Sequence, residues 1–236
     1  GKRGALNLMT GLLEEGAGEL DSRGFARALE DLAASFDYDL GDDALSISAK
    51  FLTENRDEAV ALLRSSIIDP SFSASDIERV RGQVMTGLRS DTTDPDDIAG
   101  KAFNAMAFGG HPYATSLSGT MDSVAALTRA DLVVAHGDIF AKDRLYVGAV
   151  GDITPTELGV LLDQLLGELP ETGGPQPKDA EVMIEGGVTV IEFETPQSVA
   201  LFGHKGIGLD DPDYFPANVL NQVLGDGSFE SRLMNE

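Results

Sequence analysis

At 236 residues the chain is long enough to bury most of the surface its unfolded form exposes, as one large domain or two smaller ones. Forty Asp and Glu against 17 Lys and Arg leave a net charge of -23, which repels phosphate backbones and anionic headgroups and so argues against nucleic-acid and membrane-surface binding. Without cysteine the chain can have no disulfide, thiolate metal site or cysteine nucleophile, and no apolar run approaches the roughly 20 residues that span a bilayer.

The opening Gly1-Lys2-Arg3-Gly4 resembles neither a start nor a signal peptide and reads as the middle of a loop, so an upstream segment is expected. From Ala5 to Leu13 apolar residues are nearly continuous, which suits a buried helix closed by Gly16-Ala17-Gly18 in the manner of a glycine C-cap. Asp21-Ser22 start a second helix, with Phe25, Leu29, Leu32 and Phe36 at near-helical spacing. Phe36, Tyr38 and Leu40 then alternate with polar residues, Gly41-Asp42-Asp43 turns the chain, and Leu45, Ile47, Ala49 and Phe51 alternate on the way back. The pattern predicts an antiparallel hairpin.

Asn55 with Glu58 opens a helix that faces Val60, Leu63 and Ile67 inward and ends at Asp69-Pro70. Ser75 with Glu78 repeats the capping device ahead of Ile77, Val80, Val84 and Leu88, and another helix runs from about Asp96 to Phe108 before Gly109-Gly110. Thr128 with Asp131 caps the next helix, Leu145 to Val150 reads as a short buried strand, and Thr154-Pro155-Thr156-Glu157 opens a helix carrying Leu158, Leu161, Leu162 and Leu165. Pro170, Gly173-Gly174-Pro175 and Pro177 mark a stiff polar linker with nothing to pack. Beyond it Val188, Val190 and Phe193, then Val199 and Leu201, predict two strands, followed by a helix from Asp211-Pro212 to Leu224. The expected division is therefore residues 1–169 as a first domain, 170–186 as a linker, and 187–236 as the beginning of a second.

Five short motifs stand in this order: Gly-Leu-Leu-Glu-Glu-Gly at 11–16, Asp69-Pro70-Ser71-Phe72, His111-Pro112-Tyr113, Val150-Gly151-Asp152, and Leu224-Gly225-Asp226-Gly227 leading to Ser231-Arg232-Leu233. Through them the chain resembles the M16 family of insulinase, pitrilysin and mitochondrial processing peptidase. The resemblance implies an α+β architecture, the M16/LuxS-like metallohydrolase fold with an antiparallel-rich sheet covered by helices, lacking the first strands of its first domain and ending within its second.

Catalytic members of that family carry His-x-x-Glu-His on a helix, two histidines holding zinc and the glutamate activating its water, with a further glutamate from a later helix. The matching positions here are Asn7, Thr10 and Gly11, with Thr86-Gly87 where the later glutamate would fall. Threonine is no general base at neutral pH and glycine has no side chain. No catalytic or metal-ligating residue is therefore expected. Glu14 and Glu15 have no histidine nearby, while His111, His136 and His204 are widely separated and read as structural. Asp91, Asp94, Asp96 and Asp97, and Asp210, Asp211 and Asp213, sit at helix starts without calcium-loop spacing.

The resemblance implies a non-catalytic subunit that pairs with a zinc-bearing M16 subunit around a peptide-degrading chamber, the zinc residing in the partner. Gly225, Asp226 and Gly227 are the candidate contacts to substrate peptide, their plain alternative being a helix cap and turn. Beyond such a loop the family carries an Arg and Tyr that hold peptide; these 236 residues stop before the corresponding positions. Two alternatives stay open: an active zinc metalloendopeptidase with an unrecognised metal site, and a stand-alone peptide-binding or structural protein. Similar bacterial proteins are often exported, which points to the periplasm and leaves the cytoplasm open.

Overall fold

Five helix N-termini among the described residues lie where a short polar side chain stands three residues ahead of a backbone N–H that it satisfies. The computed structural model describes residues 2–226 and 231–235. Its first helix, α1 (Ala5–Thr10), follows Gly4, whose φ of 82° turns the chain into it. A two-residue hairpin, β1 (Gly16–Ala17) and β2 (Leu20–Asp21), leads into α2 (Ser22–Asp31), where Asp21 accepts from the Gly24 N–H at 2.8 Å. The main hairpin follows as β3 (Ser35–Leu40) and β4 (Leu45–Lys50), antiparallel throughout with Tyr38 opposite Ile47.

The rest of the described chain is helical or irregular: α3 (Arg56–Ile68), α4 (Ala74–Asp91), α5 (Pro95–Phe108), α6 (Met121–Ala125), α7 (Arg129–Ile139), α8 (Pro155–Leu166), α9 (Tyr214–Asn221) and α10 (Arg232–Asn235). The architecture is α+β, with antiparallel strand pairs covered by helices. Its core gathers Leu8, Met9, Leu12 and Leu13 with Phe25, Phe36, Leu63 and Leu132. Phe25 and Phe36 meet edge to face at 6.4 Å.

Capping boxes at Thr128/Asp131 and Thr154/Glu157 lie where the spacing predicts them, and Thr120/Ser123 adds one that opens α6. Three boundaries differ. The cap of α4 is Ser73, not Ser75, because Ser73 places Asp76 three residues on and accepts from its N–H at 3.2 Å. Asn55 precedes α3 without capping it and instead donates from Nδ2 to the Leu32 carbonyl at 2.8 Å. Gly16-Ala17-Gly18 is not a helix C-cap: α1 ends at Thr10, and Gly16, with φ 117°, lets the β1 backbone approach Leu20 so closely that a Cβ would lie 2.6 Å from its carbonyl oxygen.

Leu145–Val150 forms no strand, and Tyr146 and Val150 are fully exposed. Leu45–Ser48 of β4 and Leu145–Gly148 line one cleft of about 1330 Å³, and among the described residues no strand ladder joins them. Val188, Val190, Phe193, Val199 and Leu201 also lack ladder partners and stand exposed. Alternation marks a segment as suited to a sheet without supplying the neighbouring strand. No described helix is long and apolar enough to cross a membrane.

Candidate functional site

The helix that carries Asn7, Thr10 and Gly11 is held on three sides, by α7, β3 and α4. Ala5, Leu8, Met9 and Thr10 are buried by these neighbours. The continuous apolar run produces this: a six-residue helix is too short to persist on local hydrogen bonds and is stabilised by what it buries.

Thr10 is 6% exposed, and its Oγ1 has no hydrogen-bond partner. Gly11 faces α4 closely enough that a Cβ would lie 3.1 Å from the Val80 Cγ1. A side chain there would need Val80 to give way by a few tenths of an ångström. Thr86, about 9 Å further along α4 at 1.5 Å per residue, is exposed and turns its hydroxyl back to the Gly82 carbonyl at 2.8 Å. Gly87 beside it has open space around it.

The chain around the end of α1 is acidic. Partial burial, then repulsion from Glu15 and Asp37, raises the Glu14 carboxyl above the usual range. Glu15 is paired with Arg79, which also reaches Asp76 at 3.3 Å. Tyr38, on β3, donates to Ser66 Oγ at 2.5 Å while Ser66 donates to the Leu63 carbonyl at 2.8 Å. Burial pushes the Tyr38 phenol up to about 12, against the opposing effect of its Ser66 hydrogen bond, so it is neutral at physiological pH. Tyr38 and Ser66 tie β3 to α3, and Arg79 on α4 holds Glu15 in the turns after α1; sequence spacing gave no sign of either meeting.

The three histidines are dispersed. His111 accepts the Tyr113 N–H at Nδ1 over 3.2 Å and places Nε2 2.9 Å from the Lys178 carbonyl. His136 donates from Nε2 to the Ile67 carbonyl at 2.8 Å between Phe72 and Phe140, and burial lowers its pKa, only partly offset by that hydrogen bond. His204 lies exposed beside the Lys205 carbonyl at 2.7 Å. Asp94 and Asp211 each accept a local backbone N–H, from Asp96 and Asp213 at 2.9 Å. Among the described residues no group of three or more His, Asp or Glu side chains comes together as a metal site.

Gly225 and Asp226 close a wide helical turn, Gln222–Asp226, at the end of α9. Asp226 accepts from the Gln222 side chain, and the Leu233 Cδ1 lies 3.1 Å from where a Gly225 Cβ would be. Gly227 lies outside the described residues. Arg81 is an interior cation that sequence reasoning missed: only 9% exposed, it donates to the carbonyls of Val124 and, at 3.0 Å, Leu127. An arginine on the buried stripe of a helix was its only sequence signal.

Chemically, α1 offers a carboxamide, a sealed hydroxyl and a glycine. None is a general base at neutral pH, and the set does not fit a zinc ion, which takes imidazole, thiolate or carboxylate donors.

Comparison with known proteins covers nearly the whole chain. Residues 2–121 match the model of insulinase (peptidase family M16), and residues 126–236 match that of the peptidase M16 inactive domain. A Helicobacter pylori protein named non-peptidase homolog YmxG is 29% identical over 234 residues, covering 99% of this chain and 54% of that protein. An uncharacterized zinc protease of Mycobacterium leprae, ML0855, is 25% identical over 237 residues, with 99% and 53% covered. The crystal structure of a peptidase M16 inactive domain from Pseudomonas fluorescens superposes with a TM-score of 0.82 at 25% identity, covering 100% of this chain and 57% of that one. The chain spans about half the length of the curated relatives it matches.

Proposed function

Because the chain belongs to the insulinase (peptidase M16) family, we propose that it is a non-catalytic member that pairs with a zinc-bearing M16 subunit and helps to enclose a chamber in which peptides are degraded. The observation that carries this is the make-up of α1. Where a zinc-bearing helix of the family presents His, Glu and His, this one presents Asn7, a buried Thr10 and a Gly11 packed on Val80. A water molecule is turned into a nucleophile at neutral pH by a Lewis acid and a base, and α1 supplies neither. Both chemistries would come from the partner.

The two relatives bear names of opposite import, a non-peptidase homolog and a zinc protease, yet each aligns over 99% of the chain. Overall likeness therefore does not separate the two cases, and the proposal rests on the residues of α1. Under this proposal Gly225, Asp226 and Gly227 are contacts to substrate peptide in a second M16-like half, which begins after the 170–186 connection. The periplasm is the proposed location.

The test uses the full-length protein, alone and mixed with an M16 chain from the same cell that carries His-x-x-Glu-His. Alone it is expected to hold no stoichiometric zinc and to leave a quenched fluorescent peptide library intact. Together the two should co-elute and hydrolyse peptides in a chelator-sensitive manner. Stoichiometric zinc with hydrolysis by the isolated protein would make it an active metalloendopeptidase instead. Failure to form any complex would overturn the pairing in favour of a stand-alone peptide-binding or structural protein.

A further inference from the structure

The connection after α8 has the composition of a free tether, and its contacts are those of a strap. The Lys142 N–H donates to the Pro170 carbonyl at 2.9 Å, and Lys142 Nζ pairs with Glu171 at 2.8 Å. The Gly174 N–H donates to the Asp138 carbonyl at 2.9 Å, and Arg144 Nη1 donates to the Gly174 carbonyl at 2.9 Å and to the same Asp138 carbonyl at 3.2 Å. Asp143 orients that guanidinium through both carboxylate oxygens, at 2.9 and 3.2 Å, and accepts the Gly173 N–H at 3.3 Å.

The glycines are there for closeness. A Cβ on Gly173 would lie 2.5 Å from the Asp138 carbonyl oxygen and 2.6 Å from Arg144 Cζ, and one on Gly174 would lie 2.5 Å from Asp138 Oδ1. Further on, His111 donates to the Lys178 carbonyl at 2.9 Å, and the Met183 N–H donates to the Ala107 carbonyl at 2.8 Å. Both of these anchors belong to the end of α5 and the turn after it.

Beyond Met183 the character changes. Gly186 and Gly187 are exposed, a Cβ on either would have nothing within 4 Å, and Gly187 has a φ of 152°. We infer that Pro170 to Met183 is anchored to the first unit at both ends, and that the pivot between the two halves is Glu185-Gly186-Gly187. Gly173 and Gly174, which look like the flexible element, are the lock.

The chain supplies its own probe, since Glu171 lies in the strap and Glu185 at the pivot. The Glu171 side chain is 82% exposed, so slow cleavage there would report a fixed backbone and not a hidden carboxylate. A glutamyl-specific protease acting on the native full-length protein, with fragments followed by mass spectrometry, is expected to cut after Glu185 at least about ten-fold faster than after Glu171. Arg144→Ala and Gly174→Ala should bring the two rates within about three-fold, with circular dichroism unchanged. Hydrogen exchange of the wild-type Gly174 amide gives a reading that needs no variant: protection supports the strap, and exchange at the rate of an open peptide overturns it. Equal cleavage at Glu171 and Glu185 in the wild type would likewise overturn it.

Discussion

Replacing Thr10 by valine is expected to stabilise the protein. Threonine and valine share a β-branched shape and nearly the same helix propensity, so the change exchanges a hydroxyl for a methyl and little else. In most helices that exchange loses a hydrogen bond, but here Oγ1 is buried with no partner, and it bears the cost of desolvation without recompense. A buried unsatisfied hydroxyl costs about 1 to 3 kcal/mol, and imperfect packing of the new methyl cancels part of its relief, so a net gain of about 1 kcal/mol is expected. At about 2–4 °C per kcal/mol for a domain of 150–250 residues, the midpoint should rise by about that much. Thr10→Ser keeps the hydroxyl and deletes the methyl, and should cost about 1 kcal/mol through the small cavity it leaves. Urea unfolding followed by circular dichroism, with the slope unchanged across the three proteins, measures the order directly. If serine matches the wild type while valine loses more than 1 kcal/mol, the hydroxyl has a partner and the interpretation of α1 as a sealed apolar helix fails. Thr10→Glu, the base of a catalytic family member, would place a carboxylate in the same sealed position and is expected to cost more than about 3 kcal/mol.

His136 gives a dependence on pH. Its folded pKa is depressed, chiefly by burial, so the native state binds fewer protons than the unfolded chain; stability is whole above the ordinary imidazole value of about 6.5 and falls as the pH drops from there through the folded value. His136→Gln retains a donor for the Ile67 carbonyl without titrating, and should lose less stability than the wild type between pH 8 and pH 5; parallel unfolding midpoints would contradict this. Gly4→Ala would hold alanine at φ 82° with its Cβ 2.7 Å from the Ser118 carbonyl oxygen. The left-handed backbone alone costs about 1–2 kcal/mol, so calorimetry should show a loss of at least that size.

Much of the first half could be read from spacing. Thr128 with Asp131 and Thr154 with Glu157 are local devices, complete within four residues, and the structure keeps both. The alternation of Phe36, Tyr38 and Leu40 against Leu45 and Ile47 around a glycine turn is nearly as local, and the hairpin has the register the pattern implies. Leu145–Val150 and the residues from Val188 to Leu201 were misread because a strand is completed by a neighbour remote in sequence. At the candidate site, the replacement of His, Glu and His by Asn7, Thr10 and Gly11 is plain in the sequence. That Gly11 lies tight against Val80 is not.

The sequence by itself determined the chemistry of α1, the helix starts and the order of elements, because each depends on side-chain identity or on hydrogen bonds that close over a few residues. Tertiary structure alone decided that the Thr10 hydroxyl would go unpartnered, that Arg81 would cap the carbonyls of Val124 and Leu127, and that Gly173 and Gly174 would lock against Asp138 and Arg144. Such contacts join groups tens of residues apart. No local pattern encodes them, since their geometry exists only once the intervening helices have packed.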